Sequence, residues 1–129
     1  MALRSRNAQS LHDRVIRHVA EAIKGYDVYT NPGQEKNFSV KGLYPDVVVC
    51  LRGTYTVVRV LEVETADTVT FEHAREQWIP YSTLPNFCLV VPYDMLNVAR
   101  EICRQFGIRS ISFGYFVVDP NGRIRVIVP

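Results

Sequence analysis

The chain has 129 residues, 47% of them hydrophobic and 22% charged, which predicts one domain with a single core and excludes a disordered or low-complexity chain. No apolar run approaches the roughly 20 residues a bilayer-spanning helix needs, and the opening Met-Ala-Leu-Arg-Ser-Arg lacks the apolar stretch of a signal peptide, so a cytoplasmic domain without membrane contact is expected. Fifteen basic against thirteen acidic residues leave a net charge of +2, too little for a uniformly basic nucleic-acid binder.

The first predicted element is a helix from Leu11 to about Lys24, with Ser10 as its cap, Asp13 completing a capping-box variant and Gly25 ending it. Its apolar residues, among them Leu11, Val15, Ile16 and Val19, cover an arc of about 140°, so one face packs on a core. Tyr26 to Thr30 reads as a strand, followed by the turn-rich Asn31-Pro32-Gly33-Gln34. Pro45-Asp46 opens the apolar run Val47–Leu51, and Tyr55 to Glu64 is β-branched, so the two form a hairpin about Arg52-Gly53-Thr54. A helix is expected from about Thr70 to Tyr81, kinked or ended by Pro80. Phe87 to Val91 is a buried-looking strand, and Asp94 should cap a helix through Phe106 that Gly107 closes. Ile111–Val118 and Arg123–Val128 flank Asp119-Pro120-Asn121-Gly122, whose Asn-Gly predicts a final hairpin. The order α-β-β-β-α-β-α-β-β needs a mixed sheet, because hairpins and crossovers both occur.

Charge is unevenly distributed: residues 1–41 carry +3, residues 42–81 carry −3 and residues 82–129 carry +2. An acidic middle between basic flanks suits a cation site that meets a polyanion. Twelve of the basic residues are Arg, and the lysines are only Lys24, Lys36 and Lys41. The cysteines, Cys50, Cys88 and Cys103, lie far apart in apolar runs and are expected to be buried reduced thiols.

Asp46, Glu62 and Glu64 stand out, because each lies in or beside an apolar strand where a carboxylate is costly unless paired or bound to a cation. Glu62 and Glu64 are two apart and share a strand face. A turn near Gly53 or Thr54 sets Asp46 opposite residues 60–62, so three carboxylates converge at one end of the hairpin. A hard divalent cation with a preference for oxygen is the natural neutraliser.

Pro45-Asp46 followed, sixteen residues after the Asp, by Glu62-Val63-Glu64 resembles the signature of the PD-(D/E)XK nuclease superfamily. Gln77-Trp78-Ile79-Pro80-Tyr81 is similar to the Q-x-x-x-Y motif of its RecB-like branch, and residues four apart share a helix face. The resemblance covers residues 10–91 and implies a restriction-endonuclease-like αβββαβ core, to which the C-terminal helix and hairpin are added. It implies phosphodiester hydrolysis in nucleic acid, DNA ahead of RNA, by a single domain spanning residues 1–129. Asp46, Glu62 and the Val63 carbonyl would hold Mg²⁺ or Mn²⁺, while Gln77 and Tyr81 would orient the nucleic-acid backbone or the ligand shell. The position normally held by Lys is Glu64, which would act as an extra ligand or general base. Lys41 or Arg75 are the candidates for a substitute cation. Such enzymes commonly pair two copies to cut both strands, and the apolar hairpin Ile111–Val128 would serve a homodimer. The alternatives are a catalytically inactive module of the same fold that binds nucleic acid or a protein, and a structural domain whose carboxylates are only a polar sheet end.

Other residues read more plainly. Glu21 and His73 are expected at the surface, His12 and His18 have no ligand spacing and receive no role, and Trp78 and Phe71 belong to the core. Arg4, Arg6, Arg14 and Arg17 form a solvated helix face or touch phosphates, and Arg100, Arg104 and Arg109 allow the same two readings.

Overall fold

The computed structural model describes residues 4–129. Met1 to Leu3, the start of the stretch read above for a signal peptide, lie outside the described residues. Helix α1 spans Arg6–Ala22, longer at its start than expected, because Ser5 and not Ser10 is the cap: its hydroxyl accepts from the Ala8 N–H. Asp13 is no capping-box partner either; its carboxylate accepts from Gln9 Nε2 and from the Gly33 N–H.

Strands β1 (Tyr26–Thr30), β2 (Val47–Leu51) and β3 (Val57–Val63) form an antiparallel meander. The second helix, α2, covers residues 71–81 and is composite: an α turn Phe71–His73, a π turn Ala74–Trp78 and an α turn Ile79–Tyr81. Thr70 caps it through a bond from the His73 N–H. The helix stops at Tyr81, as expected, one residue after Pro80. The missing N–H of Pro80 falls just after the π turn, where Ile79 already bonds back five residues to Ala74, so the widened turn absorbs the proline.

Strand β4 (Cys88–Pro92) returns parallel to β3. Asp94 lies inside a 3₁₀ turn, Tyr93–Met95, and caps nothing, while α3 runs from Leu96–Phe106 and ends on Gly107 at φ 69°, as expected. Strands β5 (Ser112–Val118) and β6 (Ile124–Ile127) close the chain. Their turn is not a two-residue Asn-Gly turn. Asp119 pairs with Arg123 through the backbone and its carboxylate accepts from the Asn121 and Arg123 N–H groups, so three residues form the loop and Gly122 takes the left-handed position.

The six strands lie in sequential order β1-β2-β3-β4-β5-β6, with β3-β4 and β4-β5 parallel and the other pairs antiparallel, the mixed sheet expected. Alternation divides the core in two. Val47, Val49, Leu61, Val63, Cys88 and Val90 face α1, which buries Val15, Ile16 and Val19 against them. Val48, Cys50, Val60, Leu89 and Val91 face the opposite layer, where Trp78 of α2 and Ile102 of α3 are buried. Burial of each such aliphatic side chain contributes roughly 1.5–3 kcal/mol. All three cysteines are buried free thiols. Trp78 is core, but Phe71 is 45% exposed, because the cap at Thr70 turns it outward against the ring of Phe106. Among the described residues no helix is long and apolar enough to cross a membrane.

Candidate functional site

The β2–β3 ladder pairs Val47 with Leu61, and continuing it one step brings Asp46 against Glu62. The side chains cross-link the strands at this point. The Asp46 N–H donates to Glu62 Oε1 at 2.8 Å, and the Val63 N–H donates to Asp46 Oδ2 at 2.7 Å. Asp46, Glu62 and Glu64 are all buried, with Glu64 fully so. The convergence expected from the hairpin is therefore present, but each carboxylate meets a different environment.

Asp46 has an internal cation in His12. Nε2 of His12 lies 3.0 Å from Asp46 Oδ2, and Nδ1 lies 3.0 Å from Asp13 Oδ1. A carboxylate at each nitrogen favours the protonated ring. Burial works against that charge, but the field and hydrogen bond of Asp46 outweigh it, and the His12 pKa is raised. His12 received no role from ligand spacing. A usable signal was its position, three and four residues before Val15 and Ile16 on the buried arc of α1, where a histidine needs a polar partner.

Glu64 has two donors. Arg4 Nη2 donates to Oε1 at 2.7 Å, and Trp78 Nε1 donates to Oε2 at 2.7 Å. The same Arg4 nitrogen reaches the Val63 carbonyl at 3.1 Å, and Arg4 Nε donates to Thr65 Oγ1. Arg4 is thus neither on the helix nor a solvated surface charge; it precedes the Ser5 cap and crosses to the end of β3. His73, expected at the surface, is 2% exposed, with Nε2 2.8 Å from Glu64 Oε2 but out of line for a hydrogen bond. The π turn after it rotates α2 so that His73 and Trp78 both point inward.

Glu62 is left with neither arrangement. Burial, followed by repulsion from Asp46 and Glu64, pushes its carboxyl well above the ordinary range, and the Asp46 N–H and Arg4 only partly offset this. Tyr81 is half-buried beside it: burial, then the negative charges of Glu62 and Asp46, raises its hydroxyl pKa. Gln77, one turn earlier, is half-buried and takes no part in the bonds that hold the three carboxylates. Lys41, at φ 51°, sits with Gly42 at the exposed tip of the Val40–Leu43 turn, and Arg75 and Glu21 are exposed. The cation that joins the cluster is Arg4, for which no local sequence pattern exists, since about sixty residues separate it from Glu64. The remaining arginines of α1, Arg6, Arg14 and Arg17, are exposed as expected, as are Arg100, Arg104 and Arg109.

If a divalent cation is held here, the Asp46–Glu62 pair would hold it. One oxygen of each carboxylate makes the cross-strand bonds, the other makes none of them, and the pair carries an excess of repulsion that a cation relieves. The Val63 carbonyl and Glu64 fit less well, because both face Arg4. Among the described residues no three or more His, Cys, Asp or Glu side chains are arranged to hold a metal ion, so the arrangement is a carboxylate pair and not a closed cage. A cleft of about 910 Å³ opens at the other end of β3 around Arg59, Asn86 and Ser112, and includes none of the three carboxylates. Compared with known proteins, the chain matches no family model and no curated sequence.

Proposed function

We propose that the chain is a metal-dependent phosphodiester hydrolase of the PD-(D/E)XK type, acting on nucleic acid, with DNA ahead of RNA. The observation that carries this reading is the buried Asp46–Glu62 pair, cross-linked between adjacent strand ends and left with one carboxylate uncompensated. The order α1-β1-β2-β3-α2-β4, with a parallel β3–β4 step behind the hairpin, supports the restriction-endonuclease-like αβββαβ reading, with α3, β5 and β6 as additions.

Bound between Asp46 and Glu62, Mg²⁺ or Mn²⁺ would supply Lewis-acid neutralisation of the phosphate and acidify water at neutral pH. The residues of the chain prepare that site. The Val63 N–H fixes the rotamer of Asp46, and the Asp46 N–H fixes that of Glu62. His12 holds a positive charge against Asp46, from the side of α1. Glu64 acts by anchoring Arg4, so that a guanidinium stands near the position where the related pattern carries Lys. Tyr81 stands near the pair and would, with Gln77 on the turn before it, orient the phosphate backbone.

The test is cleavage of single-stranded, linear duplex, branched and supercoiled DNA, and of RNA, with Mg²⁺ or Mn²⁺, using Asp46→Asn and Glu62→Gln as controls of verified fold. Cation-dependent cleavage lost in both variants supports the reading; cleavage that survives both refutes the site. The Arg4 contacts favour a second reading, a non-catalytic nucleic-acid-binding module, because the Val63 carbonyl and Glu64 are both committed to an internal cation. Cation binding without cleavage on any of these substrates selects it. A homodimer through the edge strand β6, whose Ile127 is 54% exposed, would suit cutting of both strands and is tested by sedimentation.

A further inference from the structure

Outside the carboxylate cluster, the most distinctive surface is a group of rings. Tyr29 stacks on Phe38 with centroids 4.6 Å apart and planes 26° from parallel. Tyr55 leans on both, 6.1 Å from each centroid, and is 75% exposed. Tyr29 and Phe38 rest their inner sides on the core, whereas Tyr55, on the β2–β3 turn, offers a nearly free ring. So exposed an aromatic stabilises the fold little.

Charge lies beside these rings. The loop of residues 31–44 contains two of the chain's three lysines, Lys36 and Lys41, against the single acid Glu35. Lys36 Nζ sits over the Tyr44 ring, 5.5 Å from its centroid, and Lys41 projects from the turn tip. The loop is held in place by one buried side chain, Asn31, which is 3% exposed. Its Nδ2 donates to the Phe38 carbonyl at 2.8 Å and to the Pro45 carbonyl at 2.6 Å, and its Oδ1 accepts from the Asn37 and Phe38 N–H groups. One amide nitrogen thus fastens the ring-bearing Phe38 to the residue immediately before Asp46. The loop that carries Phe38 is thereby tied to the segment that carries Asp46.

We propose that the Tyr29–Phe38–Tyr55 rings, with Lys36, Tyr44 and Lys41, form a platform for single-stranded DNA that leads the strand to the Asp46–Glu62 pair. Unstacked bases lie on exposed rings irrespective of sequence, while lysines track the phosphates. A duplex hides its base faces and cannot use such a platform. The Asn31 amide is spent on the loop, so stacking and charge carry recognition. The inference rests on the nuclease reading only for where the strand leads.

The test is fluorescence anisotropy with labelled oligo(dT) of about a dozen nucleotides, in EDTA so that no cleavage intervenes. A hairpin duplex, an abasic strand of equal charge and oligo(rU) serve as comparisons. The platform predicts tightest binding of oligo(dT). Tyr55→Ala weakens it roughly fivefold or more while Tyr55→Trp retains it, and Lys36→Gln with Lys41→Gln lowers the salt slope by about 1.4. Tyr55 is exposed, so these variants keep the fold, which circular dichroism verifies. Equal or tighter binding of duplex, abasic strand or oligo(rU), or no effect of Tyr55→Ala, overturns the proposal. Oligo(dT) binding without cation-dependent cleavage of any substrate leaves the platform standing and removes the nuclease reading; duplex cleavage without oligo(dT) binding does the reverse.

Discussion

The contact between Arg4 and Glu64 yields the sharpest prediction. The Glu64 side chain is fully buried and that of Arg4 is 14% exposed, so this pair is not a solvent-screened surface bridge. Arg4→Met leaves a carboxylate in the core with Trp78 Nε1 as its hydrogen-bond donor. Removing one partner of a buried pair costs about 3–5 kcal/mol, and the remaining Trp78 bond puts the expectation at the lower end, about 3 kcal/mol. For a chain of this length that lowers Tm by roughly 10–15 °C. The double variant Arg4→Met/Glu64→Gln removes both charges and recovers most of the loss, since an uncharged pair has no desolvation cost to offset. Thermal unfolding of the wild type, both single variants and the double variant closes the cycle. Additive effects, or a Tm change below about 3 °C for Arg4→Met, would refute the claim that Glu64 is held by Arg4. The single variant Glu64→Gln, which keeps Arg4 and an oxygen to receive it, addresses chemistry: cation-dependent cleavage within about tenfold of wild type, under 1.4 kcal/mol, makes Glu64 an anchor, and complete loss makes it a reacting group.

Three further outcomes are expected. His12 and Glu62 both bind protons more tightly in the folded chain than free in water, so each contributes stability that is complete below its ordinary pKa and is lost as pH rises through its folded value. The urea midpoint therefore falls as pH rises above the ordinary values of 4.5 for Glu62 and 6.5 for His12, and His12→Gln flattens the upper part of that fall; equal slopes in both proteins would remove the His12 proton from the account. Because Glu62 must lose a proton to hold a cation, Mn²⁺ binding releases protons and tightens as pH rises; calorimetry in buffers of different ionisation heat reads this, and pH-independent affinity counts against Glu62 as a ligand. Gly114→Ala would place a Cβ 2.7 Å from the Ile127 carbonyl oxygen and 3.4 Å from Val90 Cγ2, and should cost about 1–3 kcal/mol by thermal unfolding; an unchanged Tm would mean that β6 shifts freely.

The parts legible in the sequence are those governed by near neighbours. Strands β1 and β2 fall where alternation and β-branching place them, and the register that sets Asp46 against Glu62 follows from the short turn between β2 and β3. The surface expectation for His73 failed because an α-helical period was assumed, whereas the π turn that follows changes both the hydrogen-bond ladder and the face that His73 presents. The final hairpin forms where Asn-Gly predicts it, as a three-residue loop, because Asp119 recruits the next backbone amides and leaves only Gly122 in the left-handed region.

The sequence by itself determined that three carboxylates would meet at one end of a hairpin, since side-chain alternation and turn length act over a few residues. What neutralises each of them was decided by tertiary structure alone. His12 reaches Asp46 because α1 packs across β2 and β3, and Arg4 reaches Glu64 because the chain before α1 crosses the end of β3. Trp78 meets Glu64 because the π turn aims it there. A charge in a core is satisfied by whichever donor the packing brings near, and proximity across some sixty residues has no local pattern. That packing turned a uniform acidic cluster into two compensated carboxylates and one, Glu62, whose charge burial and its neighbours disfavour.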